Sequence, residues 1–172
     1  MPQVAEIIKN RRSYRSYQDR PVEQEKIDAV LRAAMYAPSA HHKQAWEFVV
    51  VTDSDKIKKL AEMKQWSEHI AEAAAVIVVC SPEWDNWLED ASIVGAHIYL
   101  EAAHQGLGTC WTQVRGSQTW DGGDCEDYVR QELSIPDQIR VLCLMPLGYP
   151  AQTKDSHDQS EYQAGKVHQQ TW

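Results

Sequence analysis

Arg11, Arg12, Ser13 and Arg15 place, within five positions, the side chains that an anion site requires. A guanidinium offers paired N–H donors in a planar fork that matches two oxygens of a phosphate, and a serine hydroxyl adds a further donor. With Lys9 and Arg20, five of the 17 Lys and Arg residues fall in the first twenty positions of a chain whose formal net charge is -8. Cations gathered against that acidic background point to a small bound anion. The competing reading of the same charges is a solvated helix end whose arginines meet water and nearby carboxylates.

Other reactive residue types carry weaker signals. His41 and His42 are adjacent in a loop, and neighbouring histidines seldom chelate one ion without further ligands, so no metal site is expected. Ser39 beside a histidine lacks both a nucleophile elbow and an orienting acid. There is no G-x-G-x-x-G, no P-loop lysine and no H-E-x-x-H. Cys80, Cys110, Cys125 and Cys143 show no C-x-x-C spacing and read as reduced thiols. Seven tryptophans stand against one phenylalanine. Trp87, Trp111 and Trp120 are candidates for an aromatic wall facing a planar ligand, although packing is the commoner use of an indole.

The elements that must position these residues follow from periodicity. Val4, Ile7 and Ile8 set an apolar stripe on a short helix that leads into the arginines. Ile27, Val30, Leu31 and Ala34 recur at helical spacing after Pro21, and Pro38 ends that helix. Strands are expected at 48–52, 76–80, 109–112 and 140–145, and helices at about 54–63, 67–74, 88–105 and 125–133. The run at 76–80 is apolar throughout, so both its faces should be covered. The 88–105 helix carries apolar or small residues on nearly every side and is expected to be buried, with a second subunit as one source of cover. Residues 116–124 read as a polar loop, and 151–172 as a polar tail with no core pattern until Val167 and Trp172.

At 172 residues the chain fits one domain, 1–172. Its acidic balance argues against a nucleic-acid partner, and no apolar run reaches the roughly 18–20 residues of a membrane span. The first residues lack the blocks of a signal peptide, which makes a cytoplasmic location the default expectation.

Taken in order, five segments carry a resemblance: IIKNRRSYRSYQDRPV, APSAHHKQAWEFVVV, GLGTCWTQV, LGYP and KVHQQTW. Together they resemble the FMN-dependent nitroreductase family over nearly the whole chain. That resemblance implies an α+β fold, with a central mixed sheet of four to five strands flanked by helices, in an intertwined homodimer. Residues 151–172 would then be an extension packed on the partner subunit. It implies that Arg11, Arg12, Ser13 and Arg15 hold the phosphate and ribityl end of FMN. Pro38, Ser39, Ala40, His41 and His42 would run along the isoalloxazine, with Gln44 supporting the loop. Thr112, Gln113 and Val114 would pass the reactive edge, where a backbone N–H donates to N5. Gly148 would let backbone approach the phosphate, and Lys154 is the nearest tail cation.

The activity so implied is NAD(P)H-dependent reduction of a small aromatic acceptor, a nitroaromatic or quinone, by ping-pong hydride transfer through the flavin. No catalytic side chain is needed, which agrees with the missing dyad. Reductive dehalogenation, flavin cleavage, and a flavin-binding or regulatory role without turnover are the alternatives. This chain departs from the family pattern at three places. His42 replaces an Asn, Ala45 replaces a Pro, and the tail lacks an Arg, so that either Lys154 or His157 substitutes or the contact is missing.

Overall fold

The computed structural model describes residues 3–172. Its centre is β2 (Ala75–Pro82), whose β-branched run suits a strand covered on both faces, and every residue before Pro82 is buried. Side chains alternate across it. Ile77 and Val79 join Ile27, Val30, Val94, Ile98 and Met145 on one face, whereas Val76 and Val78 join Val51, Leu60, Val129 and Leu144 on the other. The first layer is supplied by α2 (Gln24–Met35) and α4 (Trp87–His104). The second comes from α3 (Ser54–Ala61) and α5 (Cys125–Leu133). Aspartates cap both second-layer helices: Asp53 accepts from Lys56 N at 2.9 Å, and Asp124 from Glu126 N at 2.6 Å. A short α1 (Val4–Asn10) lies outside these layers and buries no residue.

β2 pairs with β1 (Glu47–Val51) on one side and β5 (Ile139–Gly148) on the other. The outer edge of β5 carries β3 (Gly108–Thr109) and β4 (Thr112–Gln113). All of these ladders are antiparallel, so the expected mixed sheet is corrected to an antiparallel sheet of five strands. Among the described residues, parallel pairing occurs only as an isolated bridge between Ser13 and Thr109.

The strand expected at 109–112 is broken in two, and Pro146 explains the break. Gly108 pairs with Gly148 and Thr112 with Leu144, so one continuous register sets Cys110 opposite Pro146. Proline has no N–H to give the ladder there. The helix expected at 67–74 is only a 3-10 turn at Glu68–Glu72. α4 is not buried on every side: Ser92, Ile93 and Ala96 form an exposed stripe. Val4 and Ile8 of α1 are also 69% and 52% exposed.

Candidate functional site

The arm that follows α1 lies along the outer sheet edge. Tyr14 N donates to Thr109 O at 3.0 Å, and Gln18 N to Tyr149 O at 2.8 Å. Two facing glycines make this approach possible. A Cβ on Gly108 would sit 2.8 Å from Tyr14 Cβ, and one on Gly148 2.8 Å from Tyr17 Cδ1. Gly148 is thus buried under Tyr17, and its lack of a side chain makes room for the arm. The expected exposure of Gly148 backbone to a phosphate is corrected accordingly.

The arm presents Arg11 over the Tyr99 ring at 5.1 Å, and Ser13 Oγ 3.2 Å from Tyr99 Oη. Among the described residues, no carboxylate lies within ion-pair distance of Arg11, Arg12 or Arg15. The arginines therefore have not been spent on neighbouring acids. A cavity of about 180 Å³ under the arm is lined by Arg12, Tyr99 and Thr109, and Thr109 Oγ1 is buried there without a partner.

Alternation along the outer edge identifies the free backbone donor. Val114 N donates to Leu142 O at 3.1 Å, so Thr112 also faces β5, while Gln113 points its N–H and C=O away from the sheet. Of the three residues that turn outward, Thr109 accepts Tyr14 N at its carbonyl and is bridged to Ser13 of the arm, and Trp111 N donates to Tyr99 Oη at 2.6 Å. Gln113 O accepts from Lys64 Nζ. Among the described residues, what remains at the open edge is the Gln113 N–H. The buried Val114, whose N–H is engaged, cannot offer one. From Thr109 to Gln113 the edge runs about 13 Å at roughly 3.3 Å per residue.

Two neighbours were not anticipated from the sequence. His69 Nε2 lies 3.2 Å from Thr112 Oγ1, and burial followed by the charge of Arg15 lowers its pKa. Arg15 is therefore within electrostatic reach of the Thr112 end of the edge, away from the Arg11 contact with Tyr99. Lys64 also reaches Ser117 Oγ at 2.8 Å, and burial lowers its pKa. Only the tertiary fold brings the 64–69 turn to β4, so no local pattern marked these two residues.

The loop 38–44 is held elsewhere. Ala40 N donates to Asp90 Oδ1 at 2.9 Å, and Ser39 Oγ accepts from Gln44 N at 2.9 Å. His41, His42 and Gln44 all adopt left-handed backbone, with φ of 52°, 54° and 48°. Such conformations cost of order 1–3 kcal/mol each and cluster at ligand sites. Pro38, His41 and His42 are exposed, and the loop makes no hydrogen bond to the arm or to Thr112–Val114 among the described residues. Its anchor Asp90 and the arm's anchor Tyr99 are about 14 Å apart along α4, at roughly 1.5 Å per residue. One chain therefore presents the predicted residues as two groups. Trp87 is core, Trp111 packs on Gly95, and Trp120 is 63% exposed. All four cysteines are buried and unpaired as disulfides.

A helix-flanked antiparallel sheet, with a cationic arm along its outer edge and the Gln113 N–H without a partner among the described residues, defines an α+β protein. The Nitroreductase family profile matches residues 8–88 and 62–149. The chain belongs to the Nitroreductase family, a family of oxidoreductases. It is similar to the structure of an FMN-dependent nitroreductase from Clostridium difficile R20291, with 36% identity, TM-score 0.94, and coverage of 96% of this chain and 98% of that one. It is 33% identical, over 100% of both chains, to an Archaeoglobus fulgidus protein provisionally named NADH dehydrogenase/NAD(P)H nitroreductase. Human iodotyrosine deiodinase 1 is 26% identical over 85% of this chain, which spans 61% of its length. No described helix is long and apolar enough to cross a membrane.

Proposed function

We propose that this chain is an FMN-dependent oxidoreductase that uses NADH or NADPH to reduce small aromatic acceptors such as nitroaromatics and quinones. The observation that carries the reading is the sheet edge, with unpaired arginines at one end and the free Gln113 N–H at the other. The donor set fits FMN. Arg11, Arg12 and Ser13 supply fork and hydroxyl donors for a phosphate, and Gln113 supplies a fixed donor to a ring nitrogen. Bound there, FMN would supply the hydride chemistry. The chain's own residues bind, orient and shield. Lys64 fixes the Gln113 peptide, Tyr99 fixes Trp111, and His69 holds Thr112.

A homodimer completes this reading. The exposed Val4, Ile8 and Ile93 form apolar surface that a second copy would cover, and the partner's 38–44 loop would then lie over the ring. The loop's separation from the arm within one chain supports that arrangement. Reductive dehalogenation is the second reading, favoured by the deiodinase relatives.

The test is an absorbance spectrum of the purified protein followed by NADH and NADPH consumption with menadione, nitrofurazone and a halotyrosine. Flavin colour with turnover of the first two acceptors is expected. Colour without turnover would reduce the role to flavin binding, turnover of the halotyrosine alone would favour dehalogenation, and failure to take up FMN would end the proposal.

A further inference from the structure

Lys64 carries a charge that no nearby acid neutralises. Its half-buried ammonium donates to Gln113 O and, at 2.8 Å, to Ser117 Oγ, and both acceptors are uncharged. Among the described residues, no carboxylate lies within ion-pair distance of it. Glu62, the nearest acid in sequence, pairs instead with Lys59 at 2.9 Å. Burial lowers the Lys64 pKa, the direction expected when an ammonium loses water and gains no counter-ion. A cation in that position costs stability, and groups perturbed in this way cluster where a charge has a task.

The turn that holds Lys64 is tightly built. Ser67 is 0% exposed, and its Oγ accepts from Lys64 N at 3.1 Å and donates to Ala61 O at 2.8 Å. Between them Trp66 takes a left-handed φ of 73°, a strained conformation for an aromatic residue. His69 closes the turn by hydrogen bonding to the Trp66 backbone, and its Nε2 lies 3.2 Å from Thr112 Oγ1. The turn is thereby fixed against β4 at both ends. Other cations stand away from this point. Lys154 Nζ donates to Ser13 O at 2.7 Å, and His157 Nε2 lies 3.2 Å from Arg11 Nη2, so both belong with the arm. Of these cations, Lys64 is the one that touches Gln113.

Resting on the FMN reading above, we infer that Lys64 sets the reduction potential of the bound flavin, its charge favouring the reduced form over the oxidised one. A hydride from NADH or NADPH brings two electrons and one proton. The flavin thus gains one negative charge as the nicotinamide gains one positive charge. A cation held on Gln113, the residue whose N–H would meet the ring, lowers the free energy of that added charge. The oxidised ring is neutral and gains far less. Half-burial also leaves the attraction less screened by salt than one between exposed groups. Holding the Gln113 carbonyl would by itself need only a neutral donor, so charge and hydrogen bonding can be separated by substitution.

The experiment is reductive titration of the FMN-loaded protein against reference dyes, which gives the midpoint potential. It uses wild type, Lys64→Arg, Lys64→Gln and Lys64→Met, each first checked for its thermal transition and its affinity for oxidised FMN. Arg keeps the charge, Gln keeps an N–H donor without charge, and Met keeps neither. Both neutral variants should lose about tenfold of the preference for reduced over oxidised FMN, a fall of about 30 mV for a two-electron couple. Lys64→Arg should stay close to wild type, and Lys64→Gln should bind oxidised FMN almost as wild type does. A wild-type potential in Lys64→Gln, or in Lys64→Met should the first not fold, would show that Lys64 only holds the Gln113 carbonyl. An equal fall in Lys64→Arg would also overturn the inference, because geometry rather than charge would then set the potential. Failure of wild type to bind FMN would instead remove the reading beneath it.

Discussion

Gly95 lies in the middle of α4, where helix propensity alone favours alanine by about 0.5–1 kcal/mol. The structure demands the opposite outcome for Gly95→Ala. A Cβ built there overlaps Cζ3 of Trp111 and sits 3.0 Å from Cε3. Trp111 cannot withdraw freely, since its backbone N–H is on Tyr99 Oη at 2.6 Å and its indole Nε1 on Gln113 Oε1 at 2.8 Å. Forcing a methyl into a packed site costs about 1–3 kcal/mol, which exceeds the propensity gain. The net loss should be about 1–2 kcal/mol, or a fall in Tm of about 3–6 °C for a chain of this size. Because Trp111 is tied to Gln113, the variant should also bind FMN several-fold more weakly. Thermal melts followed by circular dichroism and a flavin fluorescence titration measure both effects. A raised Tm would show that the indole yields at no cost, and would remove Trp111 as the support of the Gln113 edge.

Replacing Arg11 and Arg12 together by Ala should weaken FMN binding about a hundredfold, from roughly 1.5 kcal/mol per charged contact, and titration with FMN would detect it. Glu126 is 4% exposed and takes two bonds from Arg140, at 2.9 and 2.8 Å, with a third from Val141 N at 3.1 Å. Glu126→Gln should cost about 3 kcal/mol, measured by urea unfolding at neutral pH. Burial pushes the Glu126 carboxyl up, but the Arg140 and Val141 contacts outweigh it and lower its pKa. Its stabilisation is thus fully present above the ordinary carboxylate range and lost as pH falls through the lowered value; the variant should lack that part of the acid dependence. Asp90→Ala releases Ala40 N, so trypsin should cut after the exposed Lys43 markedly faster while Tm changes by only a few degrees.

The apolar run of β2, the small residues of α4 and the span of α5 were all readable from the chain, because burial on both faces and helical periodicity leave local signatures. The arginine arm was legible for the same reason: its charges sit together in sequence. Pro146 was visible as a residue, yet its effect on β3 and β4 depends on a register that no single segment contains. Lys64 and His69 carry no motif. They matter only because the turn at 64–69 meets β4 across about fifty residues of chain.

The sequence by itself thus determined which residue types are available for a phosphate and a flavin ring, and the family to which they belong, since both rest on local order. Only the tertiary structure decided that Gln113 keeps the free N–H, that Gly148 makes room for Tyr17, and that His157 faces Arg11. Each depends on strand parity or on contacts between distant segments, and those are set when the core closes.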